Sequence, residues 1–394
     1  MIPSILPTYN RAPLHFVKGE GCWLWEADGR RFLDLGAGIA VNALGHAHPA
    51  LVKALTQQAG ALWHVSNLYE VDRQQALADR LVELTFADTC FFTNSGTEAC
   101  ELAVKMARKY WHHHGQPERT KILTFEGAFH GRSSAAIAAA GSAKMTDGFG
   151  PLLPGFITLP FGDHEAFAEA MKDPEIGAVL IEPIQGEGGI RTLNPACLKG
   201  MRTACDATGA LLILDEVQCG MGRTGRLFQH EWLGIAPDIM MVAKGIGGGF
   251  PIGAVLATEA AAAGMTAGTH GSTYGGNPLG CAVALAALDI IGEPAFLDEV
   301  RRKAGLFRQG LESLVAGNPD VYACVRGEGL MLGLACAVPN ADVVAAGYAE
   351  EVLLIPAAEN VVRLLPALTI TDAEIAEALT RLEKVALRIR TAKG

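Results

Sequence analysis

Residues 240–253 read MMVAKGIGGGFPIG, an apolar run followed by one lysine and a glycine-rich loop. The apolar run predicts a buried strand over 239–244 that ends at Lys244. Lys244 has two interpretations: its ammonium extends to solvent from the strand end, or it is held in a site as an imine-forming nucleophile. The rest of the chain decides between them.

The composition is that of a compact globular protein. Half of the 394 residues are hydrophobic, and 42 acidic against 32 basic residues give a net charge of -10. This balance argues against a partner such as nucleic acid or an anionic membrane. Nine cysteines without a CxxC pair indicate reduced thiols, and the N-terminal sequence does not resemble a signal peptide. We therefore expect a cytoplasmic protein.

Two histidine groups could suggest a metal site. His112, His113 and His114 follow a predicted helix, and His46 and His48 have no third ligand at a recognisable spacing. A solvated helix end explains the first group better than metal binding does. We expect no metal.

Apolar runs alternate with helical patterns through the middle of the chain. Helical periodicity predicts a helix over 98–110, and predicted strands occupy 90–93, 121–125, 178–182, 210–215 and 239–244. Uniformly apolar strands separated by helices predict an α/β fold, with a mostly parallel central sheet between helices. Ligands of such sheets lie beyond the carboxyl ends of the strands.

Both ends of the chain have a different pattern. The sequence predicts a hairpin over 23–35, helices over 296–316 and 372–390, and short strands over 322–325 and 331–334. We expect a smaller α+β domain built from both termini. The predicted division assigns 1–45 to the small domain, 46–284 to the large domain and 285–394 to the small domain.

Chemically suggestive residues follow the first two central strands. Ser95, Gly96 and Thr97 open the helix after the first strand, which suits a phosphate, although ordinary helix capping gives the same pattern. Phe129 and Arg132, in FHGR after the second strand, offer an aromatic face and a guanidinium, although a surface loop is the alternative.

The next strands end in carboxylates. Glu182 and Glu187 stand in EPIQGEGG, and Asp215 follows five apolar residues, a depth at which a carboxylate needs a cationic partner or several donors. A phosphate site, an aromatic face, a buried carboxylate and Lys244 are together what pyridoxal phosphate requires.

Seven motifs in order resemble the class III (subgroup II) pyridoxal-phosphate aminotransferases of fold type I. They are GIAVNALGHAHP from Gly38, NSGTEA from Asn94, FHGR from Phe129, EPIQGEGG from Glu182, LDEVQCGMGRTG from Leu214, AKGIGGGFPIGA from Ala243 and HGSTYGGNPLG from His270. The resemblance covers nearly the whole chain, and seven motifs in the family's order are far more specific than any one of them.

The resemblance implies a role for each residue at the cofactor ring. Lys244 would bind the cofactor covalently and move a proton during the reaction. Asp215 would pair with the pyridine nitrogen, and Gln218 would lie near the phenolic oxygen. Phe129 would stack on the ring, and Val217 would also contact the cofactor.

The resemblance also implies how the phosphate is held. Ser95, Gly96 and Thr97 would bind it at the helix N-terminus, and Thr273 would contribute from the other subunit. The resemblance therefore implies a homodimer with shared active sites.

For the substrates, the resemblance implies N-acetylornithine as amino donor and 2-oxoglutarate as acceptor. Arg132, helped by Ser272, would bind the carboxylate far from the cofactor. Arg363 would bind the α-carboxylate of glutamate, and Glu187 would neutralise Arg363 when the uncharged reactive end of acetylornithine is present.

Other donors and other activities remain open. Residues 36–41 lack the tyrosine that ornithine aminotransferases carry, which favours an acylated donor. Succinylornithine, N-succinyl-diaminopimelate, ornithine and 4-aminobutyrate are alternative donors. A decarboxylase, an aminomutase or a non-catalytic regulator would have less use for Arg132, Arg363 and Glu187 together.

Overall fold

The computed structural model describes residues 2–393. Its strands are β1 Phe16–Glu20, β2 Trp23–Glu26, β3 Arg31–Asp34, β4 Thr89–Thr93, β5 Lys121–Phe125, β6 Phe156–Leu159, β7 Ile176–Ile181, β8 Ile184–Gln185, β9 Arg191–Thr192, β10 Leu211–Asp215, β11 Ile239–Val242, β12 Gly253–Ala257, β13 Tyr322–Glu328, β14 Met331–Cys336, β15 Val352–Leu353, β16 Ile355–Ala357 and β17 Val361–Leu364.

The helices are α1 Ala37–Ala40, α2 Pro49–Ala59, α3 Asp72–Leu84, α4 Gly96–His113, α5 Ser134–Ala140, α6 Ala143–Thr146, α7 His164–Ala170, α8 Pro195–Thr208, α9 Glu259–Ala262, α10 Pro278–Ile291, α11 Pro294–Gly317, α12 Asn340–Ala349 and α13 Asp372–Lys393. Two 3₁₀ turns span Gln229–Leu233 and Lys244–Ile246.

A seven-stranded sheet forms the centre, in the order β4-β12-β11-β10-β7-β5-β6. Strand β10 pairs in parallel with β11 and β7, and β12 alone runs antiparallel to its two neighbours. Alternate residues of β11 enter two different cores: Met240 and Val242 pack on one face, and Ile239 and Met241 on the other. Burial on both faces explains why these strands are uniformly apolar, and the predicted mostly parallel sheet is confirmed.

Two smaller sheets include the ends of the chain. The sheet β1-β2-β3-β15 contains strands from both ends of the chain, because Leu33 of β3 lies opposite Val352 of β15 in a parallel pair. The sheet β13-β14-β17-β16 places Arg363 opposite Gly333. The predicted α/β fold with a smaller α+β part from both termini is confirmed, and the boundaries at 45 and 284 stay predictions.

Several predicted elements differ from the structure. Strand β11 ends at Val242, and Lys244 begins a 3₁₀ turn with a left-handed φ of 49°, so the prediction that Lys244 ends the strand is wrong. A left-handed residue cannot continue the extended backbone that pairs with β12. Helix α4 continues to His113, beyond the predicted end at Tyr110, and strands β6 and β12 were not predicted.

Within residues 2–393, no single helix is long and apolar enough to cross a membrane. Helices α10 and α11 satisfy a length and hydropathy criterion only as a pair, with a bend of 69° between them.

Candidate active site

A cavity of about 430 Å³ opens at the carboxyl ends of the parallel strands. It is built by the segments that follow β4, β5, β7, β10 and β11. Its walls include Asn94, Ser95, Gly96, Thr97, Phe129, His130, Gly131, Arg132, Glu182, Asp215, Val217, Gln218, Ala243 and Lys244. The structure therefore brings together nine of the thirteen residues that the sequence predicts for the site.

The N-terminus of α4 forms one end of the cavity. Ser95 caps the helix through its Oγ, which accepts the Glu98 N–H at 3.3 Å. The first N–H groups of a helix have no acceptor within it and carry a partial positive charge. A Cβ at Gly96 would lie 3.0 Å from Val217 Cγ1, so glycine preserves the space in front of this helix end. This end suits an anion such as phosphate.

Thr97 ties α4 to the segment after β5. Its Oγ1 accepts the N–H of Arg132 at 3.1 Å and that of Ser133 at 3.2 Å. These bonds fix the position of Arg132 relative to the helix end.

The buried carboxylate of Asp215 is paired with His130. Asp215 Oδ2 lies 2.7 Å from His130 Nδ1, and Asp215 Oδ1 accepts the Val217 N–H at 3.0 Å. Burial alone would lower the pKa of His130, but the hydrogen bond and the negative charge of Asp215 raise it overall. The hydrogen-bond partner of the Asp215 carboxylate is thus an imidazole, to which sequence analysis assigned no role.

Glu182 connects two loops of the site. It is buried, its Oε1 accepts the Phe129 N–H at 2.8 Å, and its Oε2 accepts the Gly186 N–H at 3.3 Å. Burial, followed by the negative charge of Asp215, raises the pKa of Glu182 to about 7. Its place directly after a buried apolar strand was the signal in the sequence.

Lys244 lies where the first cavity adjoins a second one of about 840 Å³. Within residues 2–393 its side chain makes no hydrogen bond or ion pair. Burial lowers the pKa of Lys244, Glu187 opposes that shift, and Arg363 adds to it. Because a neutral amine is the nucleophilic form, this environment suits the imine-forming interpretation better than extension to solvent.

Glu187 and Arg363 form an ion pair at the second cavity. Arg363 Nη1 donates to Glu187 Oε1 at 2.6 Å, and Nη2 donates to Oε2 at 3.1 Å. Arg363 Nη1 also lies 3.5 Å from Gln218 Oε1. A planar fork on a carboxylate is the geometry by which arginine recognises carboxylate ligands.

Arg132 lines both cavities and is exposed. Its guanidinium carbon lies 5.6 Å from the centre of the Phe129 ring. The site thus holds one arginine paired with a carboxylate and a second one available to a ligand.

Ser272 and Thr273 do not line either cavity of the described chain. Ser272 Oγ accepts the Asn94 side-chain N–H at 3.3 Å and the Gly275 N–H at 2.9 Å, which places it behind the phosphate end. Thr273 is exposed. Their predicted roles stay predictions.

These residues fit pyridoxal phosphate. The α4 N-terminus and the space kept by Gly96 suit its phosphate, and the buried Asp215 suits a protonated pyridine nitrogen. Lys244 is within the same cavity and has no competing partner in the described chain.

Residues 6–386 match the family model of the class-III aminotransferases. The chain is 66% identical over 391 residues to the acetylornithine aminotransferase of Rhodobacter capsulatus, with 99% of each chain covered.

Two solved structures show similar backbones. The ornithine aminotransferase of Toxoplasma gondii has a TM-score of 0.95 at 33% identity, covering 99% of this chain and 94% of that one. The N-acetylornithine aminotransferase of Stenotrophomonas maltophilia has a TM-score of 0.86 at 38% identity, covering 98% of each. Backbone similarity extends to proteins named for different amino donors, so the donor must be argued from side chains and sequence identity.

Proposed function

Because the chain belongs to the class-III aminotransferase family, we propose that it is the acetylornithine aminotransferase of arginine biosynthesis. It transfers the δ-amino group of N2-acetyl-L-ornithine to 2-oxoglutarate, giving N-acetylglutamate 5-semialdehyde and L-glutamate. The observation that carries this proposal beyond the family is the paired Glu187 and Arg363 beside Lys244, since it suits two substrates whose reacting ends differ in charge.

The enzyme depends on pyridoxal phosphate, which when bound supplies an electrophilic carbon and an electron-accepting ring. Lys244 provides the amine that takes the proton from the substrate carbon bearing the reacting amine, and in the reverse reaction the same amine gives a proton back to that carbon. Asp215 places a carboxylate at the end of β10, and the His130 contact holds this carboxylate in place. Phe129 provides the apolar face of the cavity.

The two substrates present different charges to the same arginine. The δ-amino end of N-acetylornithine carries no carboxylate, so Arg363 is best neutralised by Glu187 while that donor is bound. The α-carboxylate of 2-oxoglutarate or glutamate lies next to the reacting carbon and can replace Glu187 on Arg363. Glu187 is 34% exposed and Arg363 only 2%, so a side-chain movement of Glu187 is enough to uncover the arginine.

Arg132 is the second anchor in this proposal. It is exposed on the far wall and free to fork onto the α-carboxylate of acetylornithine or the γ-carboxylate of glutamate. Both substrates then share one anchor and differ only at Arg363.

A panel of amino donors tests the donor assignment. Holoenzyme is mixed with N-acetylornithine, succinylornithine, N-succinyl-diaminopimelate, ornithine or 4-aminobutyrate, and the loss of cofactor absorbance is followed. We expect N-acetylornithine to give the highest kcat/KM of the half-reaction. A higher value for ornithine or 4-aminobutyrate would overturn the assignment.

We also propose a homodimer in which Thr273 contacts the cofactor phosphate of the other subunit. An exposed apolar surface surrounds this residue: Tyr274 is 61% exposed, and the His64 ring lies 5.1 Å from the Tyr274 ring. Leu68 and Tyr69, 83% and 69% exposed, are close in sequence to His64. A second copy would cover this surface.

Mixed dimers test that arrangement. Lys244→Ala and Thr273→Asp homodimers should both be inactive, because one lacks the lysine and the other places a carboxylate against the phosphate. Mixed subunits restore one intact site per dimer if Thr273 acts across the interface. An absence of restored activity in dimers shown to be mixed would contradict it.

We place the enzyme in the cytoplasm. All nine cysteines are free thiols, and seven of them are buried. Reducing conditions keep such thiols free.

A further inference from the structure

Glu187 is carried by the hairpin of β8 and β9. Gln185 of β8 lies opposite Arg191 of β9, and residues 186–190 form the loop between the two strands. We call these residues the Glu187 loop. The turn between β16 and β17 contacts this loop, because the Ala358 N–H donates to the Glu187 carbonyl at 3.0 Å. The backbone of Glu187 is thus bound to the sheet that contains its partner arginine.

The turn between β16 and β17 is held in an uncommon conformation. Glu359 and Asn360 have left-handed φ values of 53° and 56°, a region that few residues other than glycine adopt. The Asn360 side-chain amide fixes the turn by donating to two backbone carbonyls at and just beyond the end of β14, at 2.7 and 2.8 Å. Glu359 then faces the Glu187 loop, since a Cβ at Gly189 would lie 3.2 Å from Glu359 Cβ.

The carboxylate of Glu359 binds two arginines from two different segments. Its Oε2 accepts Arg326 Nη1 at 2.5 Å, and its Oε1 accepts Arg191 Nη1 at 3.3 Å. The same Nη1 of Arg326 donates to the Gly189 carbonyl at 3.1 Å, inside the loop. Arg191 donates through Nε to Gln185 Oε1 at 3.0 Å, at the base of the loop. One carboxylate therefore orients both arginine side chains that bind the loop.

These three charged residues belong to the surface and not to the proposed active site. Glu359, Arg326 and Arg191 lie outside the two cavities at Lys244 and line a separate surface pocket. Their side chains are 42%, 30% and 25% exposed. A single exposed ion pair contributes little, but here one carboxylate holds two donors that bind the same loop. A change at Glu359 therefore acts on the site only through the position of this loop.

We propose that Glu359 is a positioning residue for the exchange of partners on Arg363. It holds the backbone of the Glu187 loop against the β16–β17 turn, so that the Glu187 side chain returns to Arg363 whenever no substrate carboxylate is there. This role rests on the proposed function, in which a substrate carboxylate replaces Glu187. Arg363 is buried and also bound to the Pro356 carbonyl, so a looser loop favours the uncovered arginine.

Glu359→Gln tests this role, because it keeps the shape of the side chain and removes the charge that holds both arginines. We expect kcat/KM to fall about threefold for N-acetylornithine, which needs a neutralised Arg363. It should rise about threefold for glutamate, whose carboxylate replaces Glu187. Threefold is the size expected for an exposed ion pair. A purely structural role would lower both values, so changes in the same direction, or none, would overturn the proposal.

Two further variants frame this result. Glu312→Gln is the matched control: Glu312 pairs with Arg308, which lines the same surface pocket but donates to the Gly327 carbonyl and not to the Glu187 loop. Both half-reactions should be unchanged in it. Arg326→Gln removes the donor to the loop itself and should reproduce the opposite shifts of Glu359→Gln.

Hydrogen exchange of the holoenzyme tests the loop without any substrate. The amides of residues 186–190 and of Ala358 should exchange about threefold faster in Glu359→Gln than in wild type, and at the wild-type rate in Glu312→Gln. Unchanged exchange in folded Glu359→Gln would overturn the positioning role. Faster exchange together with a wild type that does not react with N-acetylornithine would support the positioning role and overturn only the donor assignment.

Discussion

Arg363 and Glu187, 176 positions apart in sequence, form a bidentate ion pair. Arg363 Nη1 lies 2.6 Å from Glu187 Oε1, and Nη2 lies 3.1 Å from Oε2. The two partners are held differently. Arg363 is 2% exposed and belongs to β17, and its Nη2 also donates to the Pro356 carbonyl at 3.2 Å. Glu187 is partly exposed and stands in a glycine-rich loop. Glu187 is therefore the partner that moves.

Glu187→Gln should impair the donor half-reaction selectively. The substitution keeps the shape of the side chain but leaves Arg363 without a counter-charge when the uncharged end of acetylornithine is bound. We expect kcat/KM for N-acetylornithine to fall about tenfold or more, which corresponds to roughly 1.5–3 kcal/mol for a charge-assisted hydrogen bond. The glutamate half-reaction should change less. Equal losses in the two half-reactions, measured by cofactor absorbance, would count against the switch.

Arg363→Lys should weaken the binding of 2-oxoglutarate. Lysine keeps the charge but cannot fork onto a carboxylate. We expect KM for 2-oxoglutarate to rise about tenfold to a hundredfold, with a small change in the acetylornithine half-reaction. Arg132→Lys is the control, because it should weaken the binding of both the amino donor and 2-oxoglutarate. Steady-state kinetics with each substrate varied would separate the two patterns, and a loss confined to the donor in Arg363→Lys would refute this role.

Cofactor uptake by the apoprotein should depend on the pKa of Lys244. Burial lowers that pKa, so the neutral, nucleophilic amine forms at a lower pH than in an ordinary lysine. The rate of cofactor uptake should rise with pH and then reach a plateau. The plateau should begin at a lower pH than it does for the reaction of the cofactor with a lysine side chain in a short peptide. Since Glu187 raises the pKa of Lys244, Glu187→Gln should move the midpoint lower still. Stopped-flow absorbance measures this, and a midpoint at or above that of the peptide would contradict it.

Glu182 should make stability fall as the pH rises. Its pKa is raised to about 7 in the folded protein, whereas an unfolded glutamate titrates near 4.3. Between these values the folded state holds a proton that the unfolded state has released, so stability is lost as the pH rises through this window.

Glu182→Gln removes this dependence. The free energy of unfolding of Glu182→Gln, relative to that of wild type, should be higher at pH 8 than at pH 5 by roughly 1–3 kcal/mol. The exposed Glu126→Gln is the control and should show no such trend. Urea unfolding at the two pH values measures the difference, and a relative loss at pH 8 would contradict the prediction.

The sequence predicted Asp215 but not its partner. A carboxylate after five apolar residues indicated a buried charge, and Asp215 is 4% exposed. His130 was visible in FHGR, but its contact with Asp215 depends on the order β10-β7-β5 in the sheet, and a single sequence does not specify strand order. The Glu187–Arg363 contact was likewise suggested only by family resemblance.

Local backbone conformation was the second feature that the sequence did not predict. The apolar run correctly predicted β11, but the left-handed φ of Lys244 ends the strand earlier, and such a conformation is uncommon outside glycine.

The most direct test compares wild type and Lys244→Ala in the reaction of N-acetylornithine with 2-oxoglutarate, with glutamate formation measured by mass spectrometry. Circular dichroism and sedimentation establish that both proteins fold and assemble alike. We predict rapid glutamate formation by wild type and a loss of at least about a thousandfold in Lys244→Ala, as for removal of a catalytic nucleophile and base. Near-normal turnover by folded Lys244→Ala, or none by wild type, would contradict the account.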